Sequence, residues 1–413
     1  MRWSSVVLAL LATTQIVSCD PLEKSENERR FQDCGKKMAS KVYMGRDAQQ
    51  SEAPWSVLFF LFKKDRKHAT TCTGTIVSPR HVLIATHCFA LLNEGQWEIE
   101  GKQLDRKHCE QDDYLITDDN ILERIQIQSD GKAVARHPEK VTLVKACINR
   151  SAVKTANKYT NVTHQYYVDD FAIIDLYNDL PLNTMQQVCV ASSESENAVD
   201  TELDYFGYGL NPPEDKGYDQ APDNTGVLRQ ETVKVIDKPM EDYYFLAKDP
   251  NSITVACTGD SGGGAVKDVN GQKTIVGVLS QTNCAHPKYR NDEAMEQYAS
   301  VGYYNEDVCR LTGICADDQQ YDKYHSGYTK KPKPPRPTES PVIPQRPVGG
   351  VAVDPNGTPG KSPAPRNQEA TEESIDPTQD APEDQSSLKV DPNGANSGYF
   401  HTILALVSVF VML

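Results

Sequence analysis

The stretch Thr258-Gly259-Asp260-Ser261-Gly262-Gly263-Gly264 decides the reading of this chain. A serine nucleophile needs exposure at a tight turn, and flanking glycines permit it because they accept backbone conformations closed to other residues. It needs backbone N–H groups aimed at the oxyanion that develops during acyl transfer. It also needs an acid–base partner brought from elsewhere in the chain. Taken alone, the stretch has a lesser reading as a mere glycine-rich turn, since short motifs also arise without function.

Two upstream segments supply the partners. The first, Thr75-Ile76-Val77-Ser78-Pro79-Arg80-His81-Val82-Leu83-Ile84-Ala85-Thr86-His87-Cys88, reads as two short strands with His87 at the exit of the second and Cys72 just ahead. The second is Asp169-Asp170-Phe171-Ala172-Ile173-Ile174-Asp175-Leu176. An acid leading into an apolar strand is suited to burial behind a histidine, where it holds the imidazole tautomer and stabilises the imidazolium. Asp169, its neighbour, is expected to be a solvated turn residue. Short apolar runs at 56–62, 75–77, 81–85, 172–176 and 274–279 are separated by Gly, Pro, Asn and Asp clusters, and long amphipathic helices are hard to find. That pattern predicts an all-β barrel or sandwich domain.

In the order His, Asp, Ser, the three segments resemble the chymotrypsin/trypsin-like serine protease family, from about Cys34 to about Cys309. The resemblance implies two six-stranded antiparallel β-barrels with the site in the cleft between them. It implies Ser261 as nucleophile, His87 as general base and acid, and Asp170 as orienting carboxylate. The N–H groups of Gly259 and Ser261 would form the oxyanion hole, and Ser280 would support the buried Asp. Lys41-Val42-Tyr43-Met44-Gly45, followed by Ala53-Pro54-Trp55, is similar to the family's activation junction. Cleavage after Lys41 would free Val42 to pair with Asp260. The resemblance further implies the disulfides Cys72–Cys88, Cys257–Cys284 and Cys34–Cys189, the last tethering the propeptide. The four cysteines left allow three pairings, and spacing favours Cys109–Cys147 with Cys309–Cys315.

The match departs at two places. His87 and Asp170 stand 83 positions apart, farther than in compact members. The extra residues, assigned to about 100–160, are expected to form a stapled, glycosylated surface insertion, with sequons at Asn149 and Asn161. The substrate pocket also drifts. Val255 stands where the trypsin branch has an Asp, and Gln281 and Thr282 follow Ser280 where an aromatic residue and a glycine are usual. Glu296, two before Tyr298, falls where a small pocket residue is usual; it would either attract basic side chains or block the pocket. Such drift resembles the divergent trypsin-like set expanded in nematodes.

The ends and the composition bound the setting. A positive start, an apolar run over 6–17 and small residues after it read as a signal peptide over 1–19. Residues 20–41 read as a propeptide and 42–316 as the peptidase domain. The cysteines beyond Cys19 are ten, an even set that suits disulfides in an oxidising compartment. Zinc would want paired C-x-x-C knuckles, and the sequence has none, so no metal and no cofactor is expected. A formal net charge of −15 argues against nucleic acid, which needs clustered Lys and Arg. Residues 330–398 hold 14 of the 25 prolines and no aromatic residue, the composition of a disordered stalk. The apolar tail over 399–413 is short for a membrane span. It reads as a GPI-attachment signal, with a short tail anchor and an inconsequential end as the alternatives.

The expected activity is therefore that of a secreted serine endopeptidase made as a zymogen. Its partners would be protein or peptide substrates and an activating protease. The alternative is a protease-like binding protein with an altered pocket.

Overall fold

The computed structural model describes residues 20–36, 46–148, 152–156, 163–182, 185–211, 224–238, 242–251, 254–282, 284 and 295–330. The junction at Lys41 and Val42, the sequons at Asn149 and Asn161, and the stalk and tail beyond 330 lie outside them.

The first sheet is built on apolar strands that alternate or run continuously. Strand β1 (Ser56–Phe62) pairs antiparallel with β2 (Ala69–Ser78), which turns through Pro79 and Arg80 into β3 (His81–Ile84). Strands β4 (Ile125–Ser129), β5 (Lys132–Arg136), β6 (Lys140–Leu143) and β7 (Ala172–Asp175) complete the path β5-β4-β1-β2-β3-β7-β6. The chain bends between β5 and β6 at His137, whose φ is 47°. There His137 N–H donates to the Ile125 carbonyl (3.2 Å) and Glu139 N–H to the Asp175 carbonyl (2.8 Å). Counted as one bent strand, β5 and β6 thus join β4 to β7 and close a ring of six.

The second sheet closes through direct pairing. Its ring runs β8 (Glu202–Gly207), β9 (Arg229–Asp237), β10 (Tyr244–Lys248), β13 (Glu296–Ser300), β12 (Gln272–Thr282), β11 (Gly264–Val269) and back to β8. The fold is therefore mostly β, as the sequence pattern predicts. One hydrophobic core runs through both rings. Trp55, just before β1, meets Phe206 of β8 edge-on at 6.1 Å, and Phe171 stacks on Tyr304 at 4.6 Å.

The expected surface insertion is only partly that. Residues 125–143 supply β4, β5 and β6, and Ile125, Ile127, Val141 and Leu143 are buried. The alternation Ile125-Gln126-Ile127-Gln128 is a strand signal in its own right. The added length lies instead in hairpins: Leu91–Asn93 with Gln96–Ile99, Cys109–Glu110 with Asp113–Ile116, and Ala152–Ala156 with Thr163–Tyr167.

Three short helices fasten the two ends of the described chain. Helix α1 (Lys24–Asp33) opens with a capping box between Glu23 and Glu26, which satisfies N–H groups that a helix start leaves unpaired. Helices α2 (Asn305–Thr312) and α3 (Asp318–His325) pack beside it. Leu22 N–H donates to the Thr312 carbonyl (2.7 Å), Asn27 to the Cys315 carbonyl (3.1 Å) and the Tyr321 hydroxyl to the Leu22 carbonyl (2.9 Å). Arg80, itself buried, reaches Glu26 at 2.5 Å. Helix α3 lies beyond residue 316, so the packed structure continues to Lys330.

Candidate active site

His87 sits in a single 3₁₀ turn, Thr86–Cys88, that ends β3. The Thr86 hydroxyl donates to the Phe171 carbonyl (3.1 Å), joining this turn to the start of β7. Asp170 stands just before β7, 1% exposed. Its Oδ1 accepts the His87 backbone N–H at 2.9 Å and its Oδ2 faces His87 Nδ1 at 2.7 Å. The Ser280 hydroxyl donates to the same Oδ2 at 2.5 Å. Three donors thus converge on one buried carboxylate, as a charge taken out of water requires. Burial pushes the His87 pKa down, but the Asp170 charge and hydrogen bond outweigh it, so the imidazole stays protonated to a higher pH than usual.

Asp169 is not the solvated turn residue expected. It is 1% exposed, takes a φ of 56°, and its Oδ1 accepts the Tyr304 hydroxyl at 3.1 Å. It anchors the turn on which Asp170 is presented.

Ser261 lies on the glycine turn before β11. Gly259 and Gly262 have φ of 96° and 84°, the left-handed region that favours glycine. A Cβ on Gly262 would meet the Thr73 carbonyl at 2.5 Å. Thr73, beside Cys72 in β2, pins the turn from both sides. Its N–H donates to the Ser261 carbonyl (2.9 Å) and its hydroxyl to the Gly259 carbonyl (2.9 Å). The N–H groups of Gly259 and Ser261, and the Ser261 hydroxyl, make no hydrogen bond among the described residues.

Asp260 turns inward. Its carboxylate accepts the N–H groups of Gly209 (2.7 Å) and Cys257 (2.8 Å). A Cβ on Gly207 or Gly209 would fall 1.9 or 2.3 Å from that carboxylate, so both must be glycine. Burial raises the Asp260 pKa to about 6, opposed by the two N–H donors and by Arg229.

The residues expected to line the pocket lie on three chain segments. Val255 is half-buried, and the Thr282 hydroxyl donates to the Ala256 carbonyl at 2.8 Å. Gln281 hydrogen-bonds the Tyr167 side chain. Glu296, 1% exposed, lies inside rather than at the pocket surface. Its Oε1 accepts the Ala256 N–H (2.7 Å) and its Oε2 the Tyr298 hydroxyl (2.5 Å). Glu231 of β9, which sequence reasoning missed, is buried against it. Burial first, then the neighbouring carboxylates, drives the Glu231 pKa well above its ordinary value; burial lifts that of Glu296 to about 7.

Five disulfides are present: Cys34–Cys189, Cys72–Cys88, Cys109–Cys147, Cys257–Cys284 and Cys309–Cys315. Cys72–Cys88 ties the Thr73 strand to the His87 turn. Cys257–Cys284 ties the segment before Ser261 to the chain after β12.

Two β-rings, one carrying a histidine–aspartate pair and the other a glycine-flanked serine, define a protease-like protein of the trypsin-like serine protease class. The sequence pattern of the nematode trypsin-6-like family matches residues 4–315. The chain belongs to that family. It is 22% identical over 292 residues to CLIP domain-containing serine protease B14 of Anopheles gambiae, covering 64% of this chain and 70% of that protein. It is 24% identical over 255 residues to trypsin-like protease try-5 of Caenorhabditis elegans, covering 56% of this chain and 75% of that protein. It spans 64% of the length of a further mosquito relative, CLIP domain-containing serine protease B15, at 20% identity. Among solved structures, the scabies mite inactivated protease paralogue S-I1 aligns at 20% identity with a TM-score of 0.39, covering 62% of this chain and 93% of that one.

Proposed function

We propose that the protein is a secreted serine endopeptidase that cuts peptide bonds through His87, Asp170 and Ser261. The observation that carries this reading is the chain of short hydrogen bonds from Ser280 through Asp170 to His87 Nδ1. It fixes the proton on Nδ1 and leaves Nε2 as the base. Ser261 would attack the carbonyl as His87 takes its proton. The N–H groups of Gly259 and Ser261 would hold the oxyanion, and His87 would return the proton to the leaving amine. Among the described residues the Ser261 hydroxyl makes no hydrogen bond to Nε2; the bond this reading requires would form as substrate binds, when catalytic hydrogen bonds tighten. A fluorophosphonate probe tests the reading: the activated protein is expected to be labelled and its Ser261→Ala variant not. Equal labelling of the two would overturn it.

A protease-like binding protein is the second reading, favoured by one observation. Glu296, a buried carboxylate, stands where a small pocket residue is usual, with both its oxygens held by Ala256 and Tyr298. Absence of labelling in correctly cleaved protein would select this reading.

The same proposal includes a zymogen. Cleavage after Lys41 would free the α-amino group of Val42 to reach Asp260, whose burial in a glycine-lined recess suits an ammonium partner. Residues 20–36 would stay behind, held by Cys34–Cys189 and by the contacts of α1. Mass spectrometry of active material is expected to find an N-terminus at Val42 with the upstream peptide released only by reduction and denaturation. Full activity in uncut protein would sink the zymogen.

A further inference from the structure

A pocket of about 160 Å³ opens between the hairpin over 91–103 and the segment stapled by Cys109–Cys147. That is room for one side chain. Two parts of its wall are held in place before anything binds. Trp97 is buried to 2% exposure, and the disulfide spans the opposite side. Walls set in advance reduce the ordering cost of binding.

Among the described residues the lining carries one charge, that of Arg106, and no carboxylate. Gln96 and Gln103 add amide donors at the rim. Arg106 is exposed and makes no ion pair among the described residues, whereas the adjacent Lys107 is held by Asp105 at 2.7 Å. In a chain of formal net charge −15, an unneutralised guanidinium at a pocket is a site for a carboxylate.

The pocket also connects to the catalytic histidine through two rings. Trp97 meets Tyr167 edge-on at 5.6 Å, and Tyr167 lies 6.1 Å from the His87 ring, centre to centre. An extended peptide advances about 3.3 Å per residue. A chain bound with its scissile bond at His87 and running along these rings would deliver a side chain to the pocket after roughly three to four residues.

From this we infer that the pocket binds an acidic side chain of the polypeptide substrate, three to four residues from the bond being cut. The inference rests on the peptidase reading for its register, but binding itself needs no catalysis. The test therefore has two arms. In the first, the activated enzyme is given neutral peptides in which a single Glu is walked across every position on both sides of the scissile bond, with Gln and Lys controls. The ratio of kcat/KM for Glu over Gln is expected to peak three to four residues from the bond. Arg106→Ala should lower that ratio by about tenfold, the size expected of one charge-assisted contact. Arg106→Glu should invert it in favour of Lys. In the second arm, the Ser261→Ala variant is titrated with the same fluorescent peptides, and Kd should follow the same order. A Glu/Gln ratio that is flat, or unmoved by both Arg106 variants, would overturn the site. Binding that follows Arg106 without any turnover would retain the site and remove the peptidase reading.

Discussion

Replacing Ser261 or His87 with Ala in the activated protein is expected to lower kcat by about 10⁶-fold, with the double variant scarcely worse than either single one. The expectation follows from the proposed division of labour. The serine hydroxyl is a weak nucleophile until a base takes its proton. His87 Nε2 is such a base only while Asp170 holds the other nitrogen, 2.7 Å away. Losing either member removes the same step, so the two losses cannot add. Near-additive losses would mean that the pair does not act as a unit. The pH dependence supplies a second readout. Asp170 keeps His87 protonated above its ordinary value of 6.5, and the protonated ring cannot accept the serine proton. Activity should therefore rise with pH through a midpoint above that value. Asp170→Asn should move the midpoint downward as well as lowering the rate.

These residues were legible in the sequence because each carries its reason locally. Gly259 and Gly262 mark a turn closed to other residues, and an acid followed by an apolar run marks a buried carboxylate. Thr73 was not legible. Its task is to grip the turn 186 to 188 positions downstream, at Gly259 and Ser261, and nothing in its own surroundings records that. Strands β4 to β6 were missed for another reason. The excess spacing between His87 and Asp170 read as insertion, although the alternation at 125–128 marks a half-buried strand. Helix α1 was hidden by its composition. It is polar along most of its length and is held by polar contacts to Cys315 and Arg80 rather than by an apolar stripe. Glu231 does carry a signal in the sequence. Counting back by twos from the buried Val235 and Val233 places it on the inner face of β9.

That inner-face carboxylate is the basis of the second large effect. Replacing Glu231 with Gln is expected to stabilise the fold near pH 8 and to change little near pH 4. The sign follows from linkage. Glu296 ionises at its ordinary 4.5 in the unfolded chain but only at about 7 in the fold, chiefly because of burial. Between those values the folded state binds more protons, so stability falls as pH rises. The ceiling on that loss for one group is about 3 kcal/mol, because each pH interval of one between the two values is worth about 1.4 kcal/mol. Glu231 is displaced in the same direction by burial and by the charges of Glu296 and Asp260. A Gln at 231 would remove one of the carboxylates crowded there while keeping side-chain volume. Glu296 would retain its Ala256 and Tyr298 donors and would ionise more easily with one fewer acid beside it. Thermal unfolding at a fixed scan rate, from pH 4 to pH 8, reads the effect. The wild type should lose several degrees of Tm across that window, and Glu231→Gln should flatten the curve. A variant that shifts Tm equally at every pH would show that the two carboxyl groups do not share a proton equilibrium. Glu296→Gln separates this from simple repacking, because an amide can still accept from Ala256 while carrying no charge to couple to Glu231. It should flatten the same window.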